Sequence, residues 1–143
     1  MKHCFVFALL SATLVNAQTA LPTEYPEGAL ALAGDAIKEQ LAGKAFTAKP
    51  SDGNTLRFQF KDDGYAFLDT SRGYRDTGKW RVDANNWCTD WQKTGSSCSE
   101  LRRKGDVFYY KRPLNGEVVP MTLRLGVTKA TESGYEFVHS HFR

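Results

Sequence analysis

The amino-acid sequence predicts a mainly β protein. The expected form is a small antiparallel meander, a barrel or curled sheet of about eight or nine strands, with one short N-terminal helix. Three observations carry this expectation. Past Lys44, apolar residues recur at every second position in short runs. Turn-forming Gly, Asn and Asp separate those runs at close, regular intervals. Helical spacing occurs in one segment, 29–42. A two-sheet sandwich is the second architecture that fits the pattern.

Residues 1–17 read as a signal peptide: a basic start at Lys2, an apolar run from Cys4 to Val15, and small residues at Val15 and Ala17 before a cleavage point. The apolar run falls well short of the roughly 20 residues that span a bilayer, so stable membrane insertion is not expected after cleavage. Cys4 precedes the apolar segment, which argues against a lipoprotein. Residues 18–28 contain Pro22 and Pro26 and read as an extended leader. Residues 29–143 are then expected to form a single β-rich domain.

Within that domain, Leu30, Ala33, Ile37 and Leu41 line one face of the expected helix, with Asp35 in its first turn and Gly43 as its stop. In Thr55–Lys61, Leu56, Phe58 and Phe60 alternate with Arg57, Gln59 and Lys61, the mark of a half-buried strand. Asp62-Asp63-Gly64 turns the chain into a partner strand, Tyr65–Asp69. Thr77–Asp83 follows, with Gly78, Trp80 and Val82 on one face. Trp87–Gln92 and Cys98–Lys104 form the next hairpin around a loop at Lys93–Ser97. Lys104-Gly105-Asp106 leads into Val107–Lys111, and Pro113-Leu114-Asn115-Gly116 into Val118–Leu125. There Pro120 suggests an edge or a bulge. A last strand is expected at Gly134–Phe142.

With Cys4 removed, Cys88 and Cys98 remain, and two thiols in an exported chain of this size are expected to form one disulfide. Losing Lys2 lowers the formal net charge from +3 to +2, and the basic residues are scattered apart from Arg102-Arg103-Lys104. That distribution gives no reason to expect nucleic-acid binding.

Helix Leu32–Lys44, turn Asp62-Asp63-Gly64, strand Thr77–Val82, Trp87-Cys88-Thr89-Asp90-Trp91 and Cys98 before Lys104-Gly105-Asp106 together resemble a recurring type of small exported bacterial protein of unknown function. The resemblance covers roughly residues 30–110. It implies a periplasmic β-domain with one disulfide and brings no activity with it. Gly78-Lys79-Trp80 is also similar to the lipocalin Gly-x-Trp motif, which however lies on the first strand of that family.

Catalytic machinery is not evident. No Gly-x-Ser-x-Gly elbow occurs, and after export the histidines are His139 and His141. Their spacing places both on one strand face, as a metal pair would need, but further ligands are not apparent, and neither a metal nor a cofactor is expected. Asp90, between two tryptophans, is the acid with most claim to a role in carbohydrate chemistry. Aromatic residues make up 13% of the chain, and most must fill the core. Trp80, Trp87, Trp91 and Tyr109 are the candidates for gripping a ligand. The expected function is a non-catalytic periplasmic or secreted binding module. Its partner would be an unknown small ligand or an envelope protein, such as a hydrolase to be inhibited. The alternatives are a small carbohydrate-active enzyme of the envelope and a purely structural envelope factor.

Overall fold

The structure, a computed structural model, describes residues 20–124. The expected signal peptide, the strand at Gly134–Phe142 and the His139/His141 pair lie outside the described residues.

The elements follow in chain order: β1 (Leu30–Ala31), α1 (Gly34–Leu41), β2 (Lys44–Ala48), β3 (Leu56–Phe60), β4 (Tyr65–Thr70), β5 (Arg75–Asp83), β6 (Asn86–Trp91), β7 (Gly95–Lys104), β8 (Val107–Lys111) and β9 (Val118–Leu123). Strands β2 to β9 pair antiparallel, each with the next, and β9 returns to β2, closing an eight-stranded barrel. β1 lies outside this closure, on β7. The period-two pattern folds this way because one face of every strand is apolar and closure removes all but a short edge.

Register fixes which residues point inward. Phe46 stands opposite Phe58, Phe58 opposite Leu68, Trp80 opposite Thr89, and Leu101 opposite Tyr110. The inward rings pack edge to face, with Phe60 5.1 Å from Trp87 and 5.7 Å from Trp80, and Phe46 5.6 Å from Phe108. Helix α1 plugs this end of the barrel with Ile37 and Leu41, both fully buried.

The helix begins later than its spacing predicts. Leu30 is drawn instead into β1, where Leu30 and Ala31 pair with Arg103 and Arg102, and it is 72% exposed. Helix α1 has no side-chain cap of its own; the Gly34 N–H donates to Asn85 Oδ1, in the β5–β6 turn, at 3.0 Å. A Cβ at Gly34 would stand 2.4 Å from the Ala84 carbonyl oxygen, so only glycine lets the helix come down onto that turn.

The leader is tied to the barrel wall. Val118 N–H donates to the Pro22 carbonyl at 2.7 Å, the Tyr25 hydroxyl donates to the Glu100 carbonyl at 3.2 Å, and the Arg102 guanidinium lies 4.3 Å from the Tyr25 ring centre. Pro120, expected at an edge or bulge, sits in a barrel strand between β8 and β2. Its nitrogen faces β2 where that ladder ends, as the Lys49 N–H donating to the Pro120 carbonyl at 3.3 Å shows, so the missing donor interrupts little. Cys88 and Cys98 are directly opposed on β6 and β7 and form the disulfide.

Candidate functional site

The two ends of the barrel differ. The turns beyond β3, β5 and β7 and helix α1 lie at one end. Four loops, 49–55, 71–74, 92–94 and 112–117, lie at the other. Behind those loops the barrel is not filled. Strand β7 turns Gly95, Ser97 and Ser99 inward, opposite Trp91, Thr89 and Trp87. The missing volume is a cavity of about 540 Å³. That falls within the range typical of small-ligand sites.

Its walls are mostly apolar: Leu56 and Phe58 from β3, Leu68 from β4, Trp87 and Trp91 from β6, and Tyr110 from β8. Around the rim stand Asn54, Tyr74, Thr94, Arg112 and Leu114. Leu114 is 77% exposed at the tip of its loop. Tyr110 is buried, and its hydroxyl has no hydrogen-bond partner among the described residues. Burial pushes its pKa far above the ordinary tyrosine value, so the hydroxyl stays neutral.

Hydrogen bonds between neighbours hold the rim. Asp76, a buried carboxylate at an inward register position, accepts from the Tyr74 hydroxyl at 3.0 Å and from the Lys93 N–H at 3.2 Å, joining loops 71–74 and 92–94. Glu117, also buried, accepts from the Ser51 N–H at 2.7 Å through one oxygen, while the other has no partner among the described residues. Asp52 accepts from the Asn54 N–H at 2.9 Å and from Arg112 Nη1 at 3.0 Å. These two bonds, the backbone one first, hold its carboxyl below the usual range. The Ser71 hydroxyl donates to Asn54 Oδ1 at 2.9 Å, bringing in the β4–β5 loop.

The candidate residues distribute unevenly over this geometry. Trp87 and Trp91 line the cavity, on the face away from Cys88. Trp80 is near the helix-plugged end, its ring against Phe60 and its indole N–H donating to the Lys61 carbonyl at 2.9 Å. Tyr109 is half-buried on the outer surface, opposite Arg102 and Pro120. Neither borders the cavity. Asp90 also faces outward, held by the Ser96 hydroxyl and by Arg81 Nη1 at 2.6 Å. No carboxylate lines the cavity, and no group of three potential metal ligands occurs among the described residues.

Sequence reasoning missed Leu56, Phe58, Leu68 and Tyr110 as wall residues, although alternation had already put Leu56 and Phe58 on one face. It missed Ser97 altogether, because Gly95-Ser96-Ser97 reads as loop. The hairpin loop is shorter than expected, at 92–94, and β7 begins at Gly95.

Comparison with known proteins finds no family model, no curated protein and no solved structure that matches this chain. The geometry defines a closed eight-stranded antiparallel barrel, plugged by a helix at one end and hollow at the other.

Proposed function

We propose that this protein is a non-catalytic binding module that holds a small, largely apolar ligand in the open end of its barrel. The observation that carries the reading is the cavity itself, walled by leucine and aromatic side chains, with no acid among the described residues that line it. The packed half of the barrel supplies rigidity, and the hollow half supplies the site. The Cys88–Cys98 bond supports a working place in an oxidising compartment, the periplasm or the extracellular space.

The test is titration of the folded protein with a neutral fluorescent apolar probe, N-phenyl-naphthylamine. Saturable binding at one site is expected, weakened at least tenfold by Trp91→Ala, whose side chain is a wall of the cavity. Equal binding by the variant, or no saturable binding, would place the function elsewhere on the molecule. Trp80→Ala is the wrong probe for this question, because it opens a hole in the packed core.

A further inference from the structure

We infer that the ligand is uncharged and carries a hydrogen-bond acceptor, such as a carbonyl or ether oxygen, on an apolar body, with the acceptor docked on the β6–β7 wall. This inference rests on the cavity being the ligand site.

Charge argues first. Lys111 and Arg112 are the charged residues bordering the cavity, and both are engaged elsewhere. Lys111 occupies an outward register position, and its ammonium lies 5.5 Å from the Tyr25 ring on the outside of the barrel. Arg112 is committed to Asp52 at 3.0 Å. An anion entering the cavity would therefore lose hydration with no free cation to replace it, and no carboxylate among the described residues lines the cavity to receive a cation.

Hydrogen bonding argues second. The Trp91 indole N–H and the Ser97 hydroxyl of the cavity lining, like the buried Tyr110 hydroxyl, make no hydrogen bond among the described residues. Trp91 and Ser97 sit on adjacent strands, with Trp91 opposite Gly95 and Thr89 opposite Ser97, so both belong to one wall. The neighbouring Trp87 indole N–H is already used, donating to Thr89 Oγ1 at 2.9 Å. An indole N–H can only donate, so the group that satisfies Trp91 must accept. A ligand without an acceptor would leave that donor unpaired as it displaced water from the wall.

The test compares four molecules on one aromatic body, by equilibrium dialysis against the intact protein: naphthalene, acetylnaphthalene, naphthoate and naphthylmethylammonium. Acetylnaphthalene should bind about fivefold to tenfold more tightly than naphthalene, the worth of one hydrogen bond, and both ions more weakly than naphthalene. Trp91→Phe keeps an aromatic wall and removes the N–H. The smaller ring weakens both neutral molecules through lost contact area, and removing the N–H should in addition abolish the advantage of acetylnaphthalene over naphthalene. Ser97→Ala, which perturbs packing least, should lower acetylnaphthalene binding selectively. Equal affinities of the parent for naphthalene and acetylnaphthalene would overturn the inference, as would naphthoate binding best or Trp91→Phe keeping the full advantage of acetylnaphthalene over naphthalene. Those results would still leave the cavity as a site. Failure of all four to bind would overturn the cavity reading and this inference with it.

Discussion

We predict that filling the cavity from its small-residue wall both stabilises the protein and abolishes ligand binding. The perturbation is Ser97→Leu. Ser97 is half-buried, stands opposite the fully covered Thr89, borders the cavity and makes no hydrogen bond among the described residues. Removing its hydroxyl therefore leaves no buried partner stranded. A leucine side chain taken wholly out of water contributes about 1.5–3 kcal/mol. The mouth is open, so roughly half of that, about 1 kcal/mol, is expected here. The space of about 540 Å³ can receive the side chain without overpacking. Ser99→Leu is the matched control. Ser99 borders the same cavity, but its Oγ accepts the Lys111 N–H at 2.9 Å, and losing that acceptor costs about 1–3 kcal/mol, which cancels the gain. Urea unfolding followed by tryptophan fluorescence measures both variants, and an unchanged slope shows that only stability moved. The reasoning is refuted if Ser97→Leu destabilises by more than about 1 kcal/mol, a sign that the space was not there to fill. It is equally refuted if Ser97→Leu binds the apolar probe as well as the parent.

Three further predictions come from the same structure. Replacing Cys88 and Cys98 together by Ala, whose separation is 10 residues, should lower stability by about 2.7 kcal/mol in the chain-entropy model. Comparing urea curves of the parent with and without reductant checks this, and no difference would mean the bond does not constrain the unfolded chain. Gly78→Ala should cost about 3 kcal/mol or more, because its Cβ would stand 2.3 Å from the Asp90 carbonyl oxygen and force β5 from β6; thermal melting against Gln92→Ala, at an exposed turn position, reads the difference. Asp52 is held low by the Asn54 N–H and then Arg112, and Asp90 by the Ser96 hydroxyl and then Arg81. A depressed folded pKa contributes stability above the unfolded value of 3.8 and loses it as pH falls through the folded value. Stability should therefore drop as pH falls below that value, and an Asp52→Asn, Asp90→Asn double variant should show a flatter drop in urea midpoint.

How much could be read in the sequence depended on whether a residue's role lay in its own segment. Alternation in Leu56–Phe60 and Val118–Leu123 revealed strands because each buries one face against the interior, whatever its neighbours. β1 gave no such signal, since its two residues are strands only through pairing with Arg102 and Arg103 far along the chain. On β8, Phe108, Tyr109 and Tyr110 are all aromatic, so the sequence could not say which parity points inward; the pairing of Phe108 with Met121 and of Tyr110 with Val119 decides it. The cavity was the least legible feature. It is made by what Gly95, Ser97 and Ser99 lack, and small polar residues in a row look the same in a solvated loop as on the inside wall of a barrel.

The placement of the disulfide follows from the same wall. Elsewhere in the barrel, inward leucine and aromatic side chains hold register, since a shift of one residue would turn them to solvent. The first half of β7 has only Gly95, Ser97 and Ser99 inside, so packing there discriminates weakly between one register and the next. Cys88 and Cys98 can join only when they are opposed on the same face. That condition puts Trp87, Thr89 and Trp91 on the other face and keeps them turned into the cavity. A hollow wall that packing alone would leave free to slip is thus held in register by a covalent bond on its outer side.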